Sequence, residues 1–490
     1  MMPQVASVAG QPSAPGSAGS PAGAASEGDA SGTQPCSERG RSWQALTSNK
    51  SEATFDDACE CGSHARCGAC IGRSDDDAEY RMPPASSLAL MMYSSLLGEI
   101  SLVIVIPAAG DYSRRLGADD LFSGALIAAV PVCATIGVAL NHCLLRKGFS
   151  CKSLLLLLQV SAVLGNWLYS LAGLVQSKWT VLIARCIIGL SNGACLPARY
   201  IAMNVGPRRR AEAIMYLSCV ASVGYALGPA ILGLFEILVN SLQLQGLVVD
   251  PDSAPGWCMA ILHLVFMVKI VLMFQDGSSE VARRGPLDKA RDVGADGLAV
   301  GACCAAFWHL ATASAVLAVT EVFAVHLAQQ LWGWSIGGSA FLLAALMLFS
   351  GISEFGMGIV CRIFEPSDRA ALMVASLLAC MLAVPLLGWD RNVGAIAQPV
   401  LILGLLLVLL AIGLVRAFAL ACTTKLVPAP MKGTMNWWAT SCMTLGRGLG
   451  GLAGAVLSLN SYASVYIAFA GASLVVSTAS HKCLKPQTAK

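Results

Sequence analysis

From Pro84 onward the chain consists of apolar stretches of about 20 to 28 residues separated by short polar turns, each long enough to cross a hydrocarbon core of about 30 Å. Roughly twelve such segments are predicted. In the first half they run from Ala85 to Ala109, Leu121 to Leu145, Ser153 to Leu174, Trp179 to Val205, Ala211 to Val239 and Gly256 to Phe274. In the second half they run from Val300 to Ala328, Ser335 to Ile363, Ala370 to Trp389, Ala395 to Leu426, Gly433 to Leu459 and Tyr462 to Ser480. The fold class this pattern predicts is an all-α membrane protein embedded in a lipid bilayer.

Composition agrees. Charged residues make up 12% of the chain, about half the share of an ordinary soluble domain. The formal net charge is only +3, with an acidic tail before Pro83 and a basic remainder, so no nucleic-acid partner is indicated. The first residues lack an apolar core, so no cleavable signal peptide is expected and the first segment directs insertion.

Loop charges orient the chain. With the tail cytosolic, Arg146, Lys147, Arg208 to Arg210, Arg283, Arg284, Lys289, Arg291, Lys425, Lys432 and Lys482 all fall inside, whereas outside loops keep only Arg114, Arg115, Lys178 and Arg391. That asymmetry follows the positive-inside rule with both termini cytosolic. The expected domains are a disordered tail (1–83), a six-helix bundle (84–275), a cytosolic linker (276–298), a second six-helix bundle (299–481) and a C-terminal tail (482–490). A shift of roughly 222 residues places Glu99 on Glu321, Ser218 and Cys219 on Ser441 and Cys442, and Gly228 on Gly451, as repeated transporter halves require.

The fourth and fifth segments carry the densest pattern. Arg185, Gly189 and Gly193 recur every four residues and so fall on one face of a continuous helix. Gly224, Gly228, Pro229 and Gly233 follow, where missing side chains permit close helix packing and the proline removes a backbone donor. The two sets together read as a membrane hinge. Leu182 to Gly193 is similar to the fourth-helix motif of the major facilitator superfamily, and Gly224 to Gly233 to its fifth-helix motif. The resemblance implies two six-helix bundles, with segments one, four, seven and ten lining a central path.

Shorter pieces resemble the membrane module of SPX-MFS vacuolar phosphate transporters, some of them shared with lysosomal major-facilitator relatives. They are Gly110-Asp111-Tyr112-Ser113, Gly165-Asn166, Leu168-Tyr169, Arg199-Tyr200-Ile201, Gly228-Pro229-Ala230, Gly333-Trp334-Ser335 and Gly433-Thr434 with Asn436. The resemblance implies a vacuolar or other endomembrane location and a small anion, such as inorganic phosphate, as cargo. Two departures stand out: the tail is expected to lack an SPX domain, and Asn141 stands where the superfamily's loop signature has an aspartate.

An ionisable group at membrane depth is costly unless it is paired or faces water, so such groups are functional candidates. Glu99, Arg185, Glu321, Arg416 and Arg447 are the candidate substrate and coupling residues, and Glu354 lies on the eighth segment. Arginine offers a planar fork of donors to an oxyanion. A carboxyl in low dielectric suits proton exchange, which makes Glu99 the expected coupling group, with protons as co-substrate. For Arg185 and Arg199 a structural lock weighs as much as a substrate contact.

No catalytic motif and no phosphate-cradling loop is present, so neither an enzyme nor a nucleotide-driven pump is expected, and no cofactor is implied. Cys59, Cys61, Cys67 and Cys70 with His64 hold enough soft ligands for one zinc, but their irregular spacing favours an unliganded tail. A monomeric secondary transporter of a small-molecule substrate is the leading expectation. Proton-coupled export of drugs or organic solutes, and a transporter-like receptor without flux, are the alternatives.

Overall fold

The computed structural model describes residues 82–242, 252–275, 300–364, 368–383, 396–425 and 432–480, all within the unit Cys67–Lys490. Cys59, Cys61, His64, Cys67 and Cys70, the rest of the tail before 82, the connection 276–299 and the stretch 481–490 lie outside the described residues. Among the described residues the regular elements are helical throughout. In order they are α1 (Ala85–Val103), α2 (Ala109–Arg115), α3 (Asp120–Arg146), α4 (Cys151–Val175), α5 (Lys178–Leu190), α6 (Cys195–Asn204), α7 (Pro207–Leu242) and α8 (Ala254–Met273). Then come α9 (Val300–His326), α10 (Ile336–Phe364), α11 (Asp368–Ala383), α12 (Gln398–Lys425), α13 (Lys432–Val456) and α14 (Tyr462–Ser480).

These account for all twelve predicted segments, with α5 and α6 sharing the fourth. Ten are long and apolar enough to cross a membrane by length and composition. The two that fall short do so for visible reasons. The described part of α11 has 16 residues, and α13 carries Asn436, Thr440, Ser441, Thr444 and Arg447 along its length.

Two predicted helices end early. The first was expected to reach Ala109, but α1 stops at Val103 because Pro107 has no N–H to offer the Val103 carbonyl, which instead accepts from Ile106 at 3.1 Å. The fourth was expected to be continuous. It breaks between Leu190 and Cys195, where Asn192 Oδ1 accepts from the Ala194 N–H at 2.9 Å. Ser, Asn and Gly in succession are weak helix formers, and Pro197 cannot donate to the Gly193 carbonyl. Gly189 therefore stays on the α5 face and packs on α3, while Gly193 lies in the break.

α1, α3, α4, α5, α7 and α8 pack on one another, as do α9 to α14. The two groups meet along two seams, α3 with α13 and α7 with α10. At the end where α1 begins and α8 finishes, Ser87 Oγ donates to the Gln275 carbonyl at 3.0 Å, and the His142 ring stacks on Trp437 across the first seam at 5.5 Å. At the opposite end Gln329 Nε2 donates to the Pro107 carbonyl at 2.8 Å and to Ser339 Oγ at 2.9 Å. Gln329 lies in a π-helical turn, Leu327–Leu331, that follows α9.

The α7 glycines are packing sites. A Cβ on Gly228 would lie 2.6 Å from Val103 Cγ2 and 3.1 Å from the Ile100 carbonyl oxygen, so α7 rests directly on the α1 backbone. Gly228→Leu is expected to destabilise the fold by about 1 to 3 kcal/mol through overpacking. Thermal unfolding of the detergent-purified variant measures this, and an unchanged midpoint would mean that α1 and α7 can separate at no cost.

Candidate functional site

Six polar side chains from six helices converge between the two groups. On α13, Arg447 Nη2 donates to both oxygens of Glu321 on α9, each at 2.7 Å, and the pair is 7% and 1% exposed. On α12, Arg416 Nη2 donates to Glu354 Oε1 on α10 at 3.1 Å, with both side chains largely buried. From the other group come Glu99 on α1 and Tyr225 on α7, joined by a hydrogen bond from the tyrosine hydroxyl to the carboxylate. The Tyr225 ring lies under the Arg447 guanidinium, 4.4 Å from Cζ to the ring centroid. Arg416, Arg447 and Glu321 all lie close enough to Glu99 to act on it through space.

Tyr225 was absent from the sequence-derived candidates, yet the repeat points to it. Glu321 follows Glu99 by 222 positions, and Arg447 follows Tyr225 by the same step. Each half thus contributes a glutamate from its first helix, bonded to a residue of its fifth. Gly224 and Gly228 flank Tyr225 as Gly446 and Gly450 flank Arg447. In this register Gly228 corresponds to Gly450, one position before the Gly451 expected from the rougher alignment. The two fifth-helix side chains meet across the interface.

Fully ionised, the five charged groups sum to one negative charge, from three carboxylates and two guanidiniums. Each arginine is already engaged by its own glutamate. An incoming anion must therefore share or displace a carboxylate, and an incoming proton removes the excess negative charge. Arg447 Nη1 is buried and has no hydrogen-bond partner among the described residues.

Arg185 is not brought into this cluster. It is 1% exposed and donates to three carbonyls: Nη1 to Ser101 at 2.9 Å, Nη2 to Leu102 at 3.3 Å and Nε to Leu126 at 3.3 Å. Two of these carbonyls belong to the last turn of α1, where Pro107 ends the helical ladder, so the guanidinium satisfies acceptors that the break leaves open. Arg185→Leu is expected to cost at least about 2 kcal/mol of stability by orphaning buried carbonyls. Denaturation of the purified variant reads this, and a loss of function at full stability would assign Arg185 to the path instead.

The remaining polar groups sit elsewhere. His263 bonds Gln159 at 2.7 Å and Ser101 Oγ at 3.3 Å inside the first group, and His309 bonds Ser477 at 3.2 Å inside the second. Lys269 lies over the Tyr93 ring at 5.4 Å. Arg199, on α6, makes no ion pair among the described residues.

A sequence model of the Major Facilitator Superfamily matches residues 88–451. Among curated proteins, an SPX domain-containing membrane protein of Arabidopsis thaliana is 28% identical over 206 residues, covering 42% of this chain and 28% of that one. An SPX domain-containing membrane protein of Oryza sativa subsp. japonica is 30% identical over 173 residues, covering 35% of this chain and 24% of that one. The chain therefore matches only about a quarter of the length of these relatives. Among solved structures, the human organic anion transporter MFSD10 (TETRAN) superposes with a TM-score of 0.57 at 18% identity, covering 82% of this chain and all of that one. A bacterial homolog of the human lysosomal transporter Spinster, in an inward-facing and unoccupied conformation, gives 0.55 at 15% identity over 81% of this chain and 95% of that one. At such identities these superpositions establish the fold.

Proposed function

The chain belongs to the Major Facilitator Superfamily, and from that membership we propose that it is a secondary active transporter working by alternating access between its two six-helix bundles. The bundles are residues 84–275 and 299–481, joined by the cytosolic linker 276–298, with both termini cytosolic and a vacuolar or other endomembrane location. The cargo is a small anion, with inorganic phosphate as the specific candidate, and protons drive it. Arg416 and Arg447 hold the anion, and Glu99 carries the coupling proton. The transporter works as a monomer.

The observation that carries this reading is the buried Arg447–Glu321 pair beside Glu99, with a second pair, Arg416–Glu354, within electrostatic reach. A fully buried ion pair is weak support for stability alone, and ionisable groups at this depth mark solute paths. The single negative excess of the ionised cluster favours one alternative, proton-coupled export of an organic cation. A radiolabelled uptake screen in proteoliposomes across phosphate, other anions and drug-like cations tests both. Phosphate uptake supports the first, cation movement the second, and binding without flux would make the chain a receptor.

A further inference from the structure

Tyr225, like Arg447, touches both halves of the cluster. Its hydroxyl holds Glu99 of its own half, and its ring face seats Arg447 of the other. It also sits where α7 is weakest, because Pro229 has no N–H to return to the Tyr225 carbonyl one turn earlier. The Arg447 guanidinium, for its part, gives Nη2 to Glu321 and lies over the Tyr225 ring. Its Nη1 donor is buried without an acceptor among the described residues. A buried donor left open beside a filled one is a place for an acceptor that comes and goes.

We propose that Nη1 of Arg447 is the docking point for one oxygen of an oxyanion, and that Tyr225 is the positioning residue linking its occupancy to the proton on Glu99. This rests on the reading of the path as an anion site. The charged groups facing Glu99 and Tyr225 are Arg447 on α13 and Arg416 on α12, with Glu321 on α9 facing Glu99 as well, while Glu354 on α10 pairs with Arg416. With Glu99 ionised, its carboxylate accepts from the Tyr225 hydroxyl and fixes the ring against Arg447, and the cluster carries one negative charge in excess. A proton on Glu99 removes the excess negative charge of the cluster and weakens the hold on the hydroxyl. The hydroxyl is then free to turn within the proline-weakened segment of α7 while the ring stays under Arg447, and an oxyanion at Nη1 no longer meets an excess negative charge. Proton and anion thereby favour each other's binding across the interface.

Two substitutions separate the two contacts. Tyr225→Phe keeps the ring and removes only the hydroxyl, so the fold is expected to survive. Tyr225→Leu removes the ring. Infrared difference spectra of the full chain in nanodiscs, titrated with pH, follow the Glu99 carboxyl band, which Glu99→Gln assigns. Equilibrium binding of labelled inorganic phosphate is measured on the same samples. Tyr225→Phe is expected to shift the Glu99 band and its titration midpoint, and to flatten the pH dependence of phosphate binding. Tyr225→Leu is expected to weaken phosphate binding about threefold to thirtyfold, the range a desolvated cation–π contact supports. If phosphate binds the parent chain while both variants keep its titration and affinity, Tyr225 has no such role and the anion reading stands. If the Glu99 band shifts in Tyr225→Phe but phosphate binds no form of the protein, the Tyr225–Glu99 link is real, while the docking point and the anion reading both fail.

Discussion

Glu321→Ala is expected to cost about 3 to 5 kcal/mol of stability, because it leaves the Arg447 charge buried without its counter-ion. Arg447 Nη2 gives both of its bonds to Glu321, and neither side chain can reach water by a small movement, at 7% and 1% exposure. Removing the arginine as well should recover much of the loss. The double variant E321L/R447L is expected to be more stable than Glu321→Ala, since apolar residues of similar size replace a buried pair at little cost. Denaturation of the purified variants closes the cycle. A single variant as stable as the parent would mean that Arg447 finds another partner or reaches solvent. The double variant is not expected to transport, because it removes the guanidinium that seats the anion.

The second large effect is functional. Glu99→Gln is expected to abolish accumulation driven by a pH gradient while leaving counterflow of pre-loaded substrate, because exchange needs no net proton movement. Glutamine keeps the shape and an acceptor oxygen for the Tyr225 hydroxyl, so packing against Gly224 survives. What it loses is the ability to alternate between charged and neutral forms. Loss of both activities together would instead indicate that Glu99 holds the substrate or the fold.

Segment length and apolar content made the fold legible, since few other solutions bury this much hydrocarbon. Helix ends were harder to read. The ends of α1 and α5 depend on where a missing N–H leaves a carbonyl open, at Pro107 and Pro197, and on which neighbouring N–H takes it instead. The same local detail explains Arg185. Membrane depth marked it as a candidate, but only the carbonyls of Ser101, Leu102 and Leu126 reveal that it closes a break. Glu99, Glu321 and Arg447 were readable from depth alone. Tyr225 was not, because it is uncharged and one of nine tyrosines. Its signal lay in the repeat, where the step that relates Glu99 to Glu321 also carries Tyr225 onto Arg447. The partnership of Arg416 with Glu354 had no such signal, since their pairing depends on how α10 and α12 pack.

Phosphate accumulation in proteoliposomes with an imposed pH gradient, compared between the parent chain and Glu99→Gln, addresses proton-coupled anion transport most directly. The parent is expected to concentrate labelled phosphate against its gradient when protons flow with it, and to stop when an ionophore collapses the gradient. Glu99→Gln is expected to equilibrate phosphate without concentrating it. Accumulation by the parent that ignores the pH gradient, or equal pH-driven accumulation by Glu99→Gln, would contradict the mechanism.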